Sequence, residues 1–421
     1  MKSIAVIGSG VSGLVSAYRL GFEADVELIE SDTRFGGHAN TVEVKEKSSI
    51  KVDTGFIVYN TLTYPGLTKL FKELEVKTVA TDMSFGVHDL ISGWQYGTSS
   101  LKSLFAQPWQ LFNPKFLGVW IDFWKFRRHA KEFHAKADKD PKTTVADLIR
   151  QAGCGEAFKS RFLYAMAGAI WSTAPQEMDR YPAVSFLDFM FNHRMLEPWG
   201  QPVWRTVEGG SISYVSRILE KGKFSRRTGN GAKRISRLAG GVGVEFEDGS
   251  SKVYDEVVIA THSDQALALL GNPTPLEKDV LGAIGYQPNK AVLHSDESMM
   301  PPNKKAWAAW NVLLHKNQRE QVELTYDMNA LQHIKEGRWL VTLNPEREID
   351  PDKIHRTYNY NHPFFDVGAL DAQMKWNEVS GVDRIHYCGA YWRHGFHEDG
   401  LWSAMRVVDQ ILDTMNVRKI A

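Results

Sequence analysis

The stretch that decides the fold is Ser3-Ile-Ala-Val-Ile-Gly8-Ser9-Gly10-Val11-Ser12-Gly13-Leu14, at the beginning of the chain. Residues 3–8 form a short apolar run, as expected for a strand buried on both faces. Three glycines follow in the spacing G-x-G-x-x-G, and Leu14, Ala17, Tyr18 and Leu20 then recur at helical intervals. The segment 25–30 (DVELIE) reads as a second strand, which completes a β-α-β unit. In such a unit Gly8 permits the tight turn, Gly10 lets the backbone approach a pyrophosphate, and Gly13 lets the helix pack on the strand. The helix amino terminus, including Ser12, offers unpaired N–H groups and the positive end of its dipole to the phosphates. Glu30 lies at the end of the second strand, where a carboxylate accepts both ribose hydroxyls and repels a 2′-phosphate. The alternative is a glycine-rich turn that binds nothing, but strand, turn, helix and acid coincide here.

Composition bounds the rest. The chain has 421 residues, 50 Lys+Arg against 50 Asp+Glu, 43% hydrophobic residues and two cysteines, Cys154 and Cys388. Zero net charge removes the basic excess of a nucleic-acid binder, so no nucleic-acid partner is expected. Two cysteines exclude a disulfide framework and a cysteine-rich zinc site. No run reaches 18 apolar residues, and the amino terminus lacks signal-peptide character, so a cytoplasmic protein is expected.

Further along, 51–59 reads as strand–turn–strand, 60–200 as mainly helical, and 205–262 as strand-rich around a helix at 214–219. Within the helical part, Thr144 with Asp147 suits a helix start. Strands are expected at 286–295, 306–313, 322–326, 338–343 and 384–390, and a final helix at 401–415. Glycine-and-strand signals at the start, middle and end indicate one domain assembled from 1–59, 205–262 and 380–421, with 60–204 and 263–379 forming a second.

Beyond Glu30 the chain continues Ser31-Asp-Thr-Arg34-Phe-Gly36-Gly37-His38, and later shows Asp53-Thr54-Gly55-Phe56, Val257-Val-Ile-Ala260-Thr261, Gly389, and Glu398-Asp399-Gly400-Leu401. In this order the motifs resemble the flavin-containing amine oxidoreductase superfamily, which includes amine oxidases and phytoene-desaturase-type enzymes. The resemblance implies an α/β fold, with a Rossmann-type FAD domain and an inserted substrate domain of mixed sheet plus helices. It implies FAD as cofactor, and the lack of a cysteine near Leu401 implies that it is held noncovalently. His38 stands where that family commonly has Arg. Closer phrases, such as Gly55-Phe-Ile-Val-Tyr-Asn60, Ala169-Ile-Trp-Ser172 and Gly395-Phe-His-Glu-Asp-Gly400, are similar to a bacterial group of FAD/NAD-binding oxidoreductases often encoded beside cyclopropane-fatty-acyl-phospholipid synthases. That similarity implies hydride transfer at flavin N5 to or from a hydrophobic substrate, a methylated or cyclopropanated acyl chain. An amine oxidase, a flavin-dependent isomerase and a non-catalytic FAD-bound accessory protein remain as alternatives.

Two residues are expected in catalysis. By resemblance, Lys290 matches the strand lysine that amine oxidases bridge through water to flavin N5; the plain reading is a solvated lysine. His397, in Arg393-His394-Gly395-Phe396-His397, precedes the flavin-facing helix and can donate or accept a proton near neutrality. No third ligand accompanies His394 and His397, so no metal is expected. Tyr59-Asn60 and Trp171-Ser172 are either pocket wall or core. Residues 104–126 are dense in aromatics, with Phe116, Trp120 and Trp124 on one helical face, and Arg127, Arg128, His129 and Lys131 follow. One reading of 104–131 is a membrane-interface element, which would place the protein peripherally on the inner face of the membrane. Packing against the second domain or an oligomer partner is the commoner use of such a stripe.

Overall fold

The computed structural model describes residues 1–45, 49–140, 142–171, 174–197, 199–315 and 322–415. Its organising element is the expected unit: strand β1 (Ser3–Ile7), helix α1 (Val11–Leu20) and strand β2 (Asp25–Glu30). β1 is central in a five-stranded parallel sheet whose order is Ser225–Thr228, β2, β1, Glu256–Ile259, Ile385–Tyr387. The uninterrupted apolar run of β1 fits that position, since Ile4, Ala5 and Val6 are fully buried between layers. The carboxyl ends of β1 and Glu256–Ile259 deliver Gly8 and Ala260 side by side, the edge where open α/β sheets bind ligands.

A second sheet of seven strands has the order Ile354–Phe364, Gly285–His294, Leu340–Leu343, Glu323–Asp327, Trp310–Leu314, Phe85–Asp89, Gln95–Gly97. Residues 60–200 are mainly helical, as expected, but Thr78–Ala80, Phe85–Asp89 and Gln95–Gly97 within them are strands that the sequence reading did not mark. Phe85–Asp89 pairs in parallel with Trp310–Leu314, more than two hundred residues away, so local periodicity could not reveal it. The 11-residue strand Ile354–Phe364 was also unforeseen. It is an edge strand carrying IHRTYNYNHPF, most of it outside the core, and an apolar pattern is therefore missing.

The helices pack around these sheets. Thr144 and Asp147 form the expected reciprocal cap on Val145–Gln151. Helix α2 (Pro65–Glu73) packs on the final helix, while α3 (Pro114–Ala135), α4 (Tyr164–Trp171) and α5 (Ala183–Asn192) build a layer beside the second sheet. The final helix α6 runs His397–Thr414, four residues earlier than expected, and packs along α1. A Cβ on Gly400 would come within 2.6 Å of Val11 Cγ1, and Ser12 Oγ donates to the Gly400 carbonyl at 2.9 Å. Close helix contact, rather than a ligand, explains that glycine. Among the described residues no helix is long and apolar enough to cross a membrane.

The strands of the five-stranded parallel sheet all fall within 1–59, 205–262 and 380–421, of which 416–421 lie outside the described residues, and the seven-stranded sheet falls within the intervening segments. We propose these two sets as the two domains. One continuous apolar core runs through both.

Candidate active site

A cavity of about 720 Å³ lies between the two sheets, at the carboxyl edge of the parallel one. One end is built by the β1–α1 turn. Gly8 has φ +93°, a conformation that disfavours any side chain. A Cβ on Gly13 would stand 1.8 Å from the Gly8 carbonyl oxygen, so this glycine is required for the turn itself. Gly10 is different: a Cβ there would meet nothing within 4 Å. Its bare backbone faces the cavity, as a nearby pyrophosphate requires. Glu30 reaches the same end, and its carboxylate accepts from Ser9 N at 2.9 Å, Ser9 Oγ at 2.6 Å and Asp32 N at 2.9 Å. The exposed Ser31 hydroxyl, 3.2 Å from Glu30 Oε1, can turn away, which leaves acceptor capacity on that oxygen for a ribose hydroxyl. Ser31, Gly231 and Glu247 stand together beside it.

The middle of the cavity is lined by Gly37, His38, Gly55, Phe56, Ala260 and Gly389. Gly37 has φ +56°, and a Cβ on it would lie 2.9 Å from the Gly10 Cα, so the second glycine loop closes directly on the first. His38 sits among His262, His362 and Tyr360, with ring centroids 6.0, 5.6 and 4.9 Å away. Burial and the neighbouring imidazoles hold its pKa well below the ordinary value, so it is neutral. His38 Nε2 is buried without a hydrogen-bond partner among the described residues, an orphaned group that a bound ligand can satisfy. His362 is pushed down by burial to about 4.

His397, at the first turn of α6, lines the cavity where Phe56 stacks on it at 3.7 Å, and it shares a 3.2 Å hydrogen bond with the Tyr214 hydroxyl. Burial pushes its pKa to about 3. The imidazole is therefore neutral near pH 7 and is a weak proton acceptor, unlike the acid–base group expected from sequence. Lys290 does not reach the cavity. Tyr286, at the start of the strand Gly285–His294, lines it, but Lys290 lies four residues further, roughly 13 Å along the strand, with its side chain exposed. The expected lysine at the flavin is thus not supplied by Lys290.

Other expected ligand residues stand behind the wall. Arg34 Nη2 donates to the Gly37 carbonyl at 2.8 Å, and Gly36, at φ +124°, shapes the same loop. Thr54 Oγ1 shares a 2.9 Å hydrogen bond with the Tyr360 hydroxyl. Asp399 accepts from Phe396 N at 2.9 Å and so caps its own helix; burial raises its carboxyl to about 6. Leu401 is core. Glu398 accepts from Gly66 N and Leu67 N at 2.8 and 2.9 Å, holding the start of α2 against α6.

The far end is apolar; Ile170, Trp171 and Phe396 come from phrases quoted from the sequence, whereas Phe189, Met195, Trp310 and Tyr326 were not marked by any motif. Trp171, Phe189 and Phe396 cluster there, with Phe189 4.8 Å from Trp171 and 4.9 Å from Phe396. Ile170, Met195 and the Trp310–Tyr326 pair complete it. Trp171 is both core and wall; Ser172 beside it lies outside the described residues. Among the described residues that line the cavity, the carboxylates are Glu30 and Glu247, both at the nucleotide end.

The sequence pattern of flavin-containing amine oxidoreductases matches residues 11–319, well over half of the chain. The chain belongs to that family. Its cofactor is FAD, and it is an FAD-dependent oxidoreductase by family. The bare backbone at Gly10, the carboxylate of Glu30 and the orphaned His38 nitrogen all fit that cofactor. The fold is similar to cyclohexylamine oxidase from Brevibacterium oxydans IH-35A, with TM-score 0.72, 14% identity and 99% of each chain covered. It is likewise similar to a CLA-producing fatty acid isomerase from P. acnes, with TM-score 0.69, 14% identity, and 97% and 98% of the two chains covered. At these identities the likeness shows the fold alone. A shorter match, 33% identical over 85 residues, links the chain to Aplysianin-A of Aplysia kurodai; it spans 20% of this chain and 15% of that protein.

Proposed function

We propose that the protein oxidises a C–H bond of an uncharged, hydrophobic substrate of the fatty-acyl class. The observation that carries this reading is the charge distribution along the cavity. The end beyond His397 is lined by Trp171, Phe189, Phe396, Trp310 and Tyr326 and has no carboxylate among the described residues. Its histidines are held neutral as well, since burial pushes His394 to about 4 and His397 to about 3. An alkylammonium group, protonated near neutrality, would lose its hydration there and find no anion in return. An acyl chain has no charge to desolvate on entering, and it gains roughly 0.8 kcal/mol per buried CH₂ against the cost of ordering the chain.

Bound FAD supplies the hydride acceptor. The chain's own residues bind, orient and keep the site dry. Gly8, Gly10 and the α1 amino terminus hold the pyrophosphate, and Glu30 holds the ribose. His397, held by its stack on Phe56 and its hydrogen bond with the Tyr214 hydroxyl, acts as a neutral positioning group. The aromatic cluster selects the substrate by shape and excludes water, which strengthens every polar contact inside.

The test is a parallel anaerobic incubation of the FAD-loaded protein with acyl lipids and with primary amines, followed by mass spectrometry. Loss of two hydrogens from an acyl chain is the expected product. Oxidation of amines with no change in any lipid would refute the proposal. A lipid product of unchanged mass with a moved double bond would establish an isomerase instead.

A further inference from the structure

Helix α3 (Pro114–Ala135) is apolar on two sides, and the fold covers one of them. Phe116, Val119, Phe123 and Phe126 face inward, where Phe123 and Trp120 meet Phe162 at 5.6 and 5.4 Å. The other side carries Leu117, Ile121 and Trp124 at i, i+4 and i+7, all exposed. Immediately before the helix, Trp109, Leu111 and Phe112 are exposed too, Phe112 to 86%. Trp199, 76% exposed, joins this surface through an edge contact with Trp124 at 6.4 Å. A concentration of exposed aromatic and aliphatic side chains of this kind marks an interaction surface rather than ordinary scatter.

Charge identifies the occupant. Residues 101–131 contain six Lys or Arg and one Asp, although the whole chain is neutral. Lys125 pairs with Asp122, and Arg127 and Lys131 both pair with Glu197. Lys102, Lys115 and Arg128 are left exposed with no ion pair among the described residues. A second copy seated on this face would set the same cations against each other. A bilayer containing anionic lipid meets both demands: hydrocarbon accepts the aromatic and aliphatic side chains, and headgroups neutralise the flanking cations.

We propose that the surface formed by Trp109–Phe112, the outer face of α3 and Trp199 docks the protein on an anionic lipid bilayer. It places the helical layer that includes the cavity-lining α4 against the membrane. The docking surface rests on its own residues and stands whether or not an acyl chain is the substrate.

The test is co-sedimentation of the full-length, FAD-loaded protein with vesicles of phosphatidylcholine alone and of phosphatidylcholine mixed with phosphatidylglycerol. Binding to the mixed vesicles, weakened by salt, is expected. Substituting Phe112→Ser, Ile121→Ser and Trp124→Ser together should lower the partition coefficient by about ten-fold or more per side chain. Substituting Lys102→Gln, Lys115→Gln and Arg128→Gln should remove about five-fold each, and with it the preference for anionic vesicles. Because these side chains are exposed, flavin absorbance and melting temperature should stay at wild-type values and serve as the folding control. Equal binding to both vesicle types, or undiminished binding by the serine variant, overturns the proposal. So does a lipid-free dimer that the serine variant abolishes, which would make the face an interface between copies. Conversion of a dispersed acyl substrate without vesicle binding sinks the docking alone; vesicle binding without any acyl conversion sinks the substrate reading alone.

Discussion

Replacing Gly10 and Gly13 by alanine separates a glycine kept for the cofactor from one kept for the fold. At Gly13 the new methyl would overlap the Gly8 carbonyl oxygen at 1.8 Å, and that oxygen belongs to backbone. Relief requires moving the β1–α1 turn, so the apoprotein should lose about 3 kcal/mol or more, the upper range for overpacking. At Gly10 the methyl enters open space. The residue is the amino-terminal cap of α1 with φ −61° and ψ 179°, which alanine adopts without strain. Apoprotein stability should therefore shift by under about 1 kcal/mol, with the poorer cap offset by reduced freedom of the unfolded chain. FAD affinity should fall about ten- to a hundred-fold, because a methyl in the pyrophosphate cradle costs roughly 1–3 kcal/mol of overlap or lost contact. Urea unfolding of both apoproteins and titration with FAD, followed by flavin fluorescence, read the two quantities separately. Wild-type FAD affinity in Gly10→Ala, or an apoprotein as damaged as Gly13→Ala, would refute the reasoning.

Three further outcomes are expected. Glu30→Gln should weaken FAD binding about ten- to a hundred-fold, the worth of a hydrogen bond to a charged acceptor, and should also cost the apoprotein about 1–3 kcal/mol, because the amide nitrogen would face Ser9 N or Asp32 N; unchanged FAD affinity would remove Glu30 from the ribose site. Lys290→Met should keep flavin spectrum and turnover within about two-fold of wild type, since an exposed residue outside the cavity contributes little; a large fall in turnover or reoxidation would return the lysine to the flavin. His362→Gln should flatten the loss of stability on acidification. The folded state withholds a proton from His362 until about pH 4, whereas the unfolded chain takes one near 6.5. The stabilisation is thus complete above about pH 6.5 and is lost as pH falls toward 4, at up to about 1.4 kcal/mol per pH unit. Asp53 and Asp399, raised by burial to about 6, act in the opposite direction, so the comparison to make is the variant's slope against the wild type's in pH-dependent denaturation. Identical slopes would show that His362 is not held neutral.

What the chain announces in sequence is what is local. The β1–α1–β2 unit, its three glycines and Glu30 depend on neighbours within thirty residues, and each glycine's reason could be argued from its spacing alone. The Thr144–Asp147 cap is local in the same way. Residues whose role depends on distant partners were hidden. Phe85–Asp89 is a strand because Trp310–Leu314 lies beside it. His262, Tyr286 and His362 reach one wall from three elements, and nothing in the spacing of three isolated residues marks them. Lys290 shows the converse. Its flanking pattern resembles a flavin-proximal strand, yet its position along that strand takes it past the cavity. Asp399, Gly400 and Thr54 were legible as important, but their work is capping, helix contact and loop support, one layer behind the wall.

The account's central claim is that one cavity holds FAD at its glycine end and an uncharged acyl chain at its aromatic end. The most direct measurement is the visible absorbance of the FAD-reconstituted protein, titrated under anaerobic conditions with an acyl lipid. The account predicts flavin bands on reconstitution that bleach as lipid is added and stay unchanged with a primary amine. Bands that persist with lipid and bleach with the amine would contradict the reading of the aromatic end, and failure to take up FAD would contradict the reading of the glycine end.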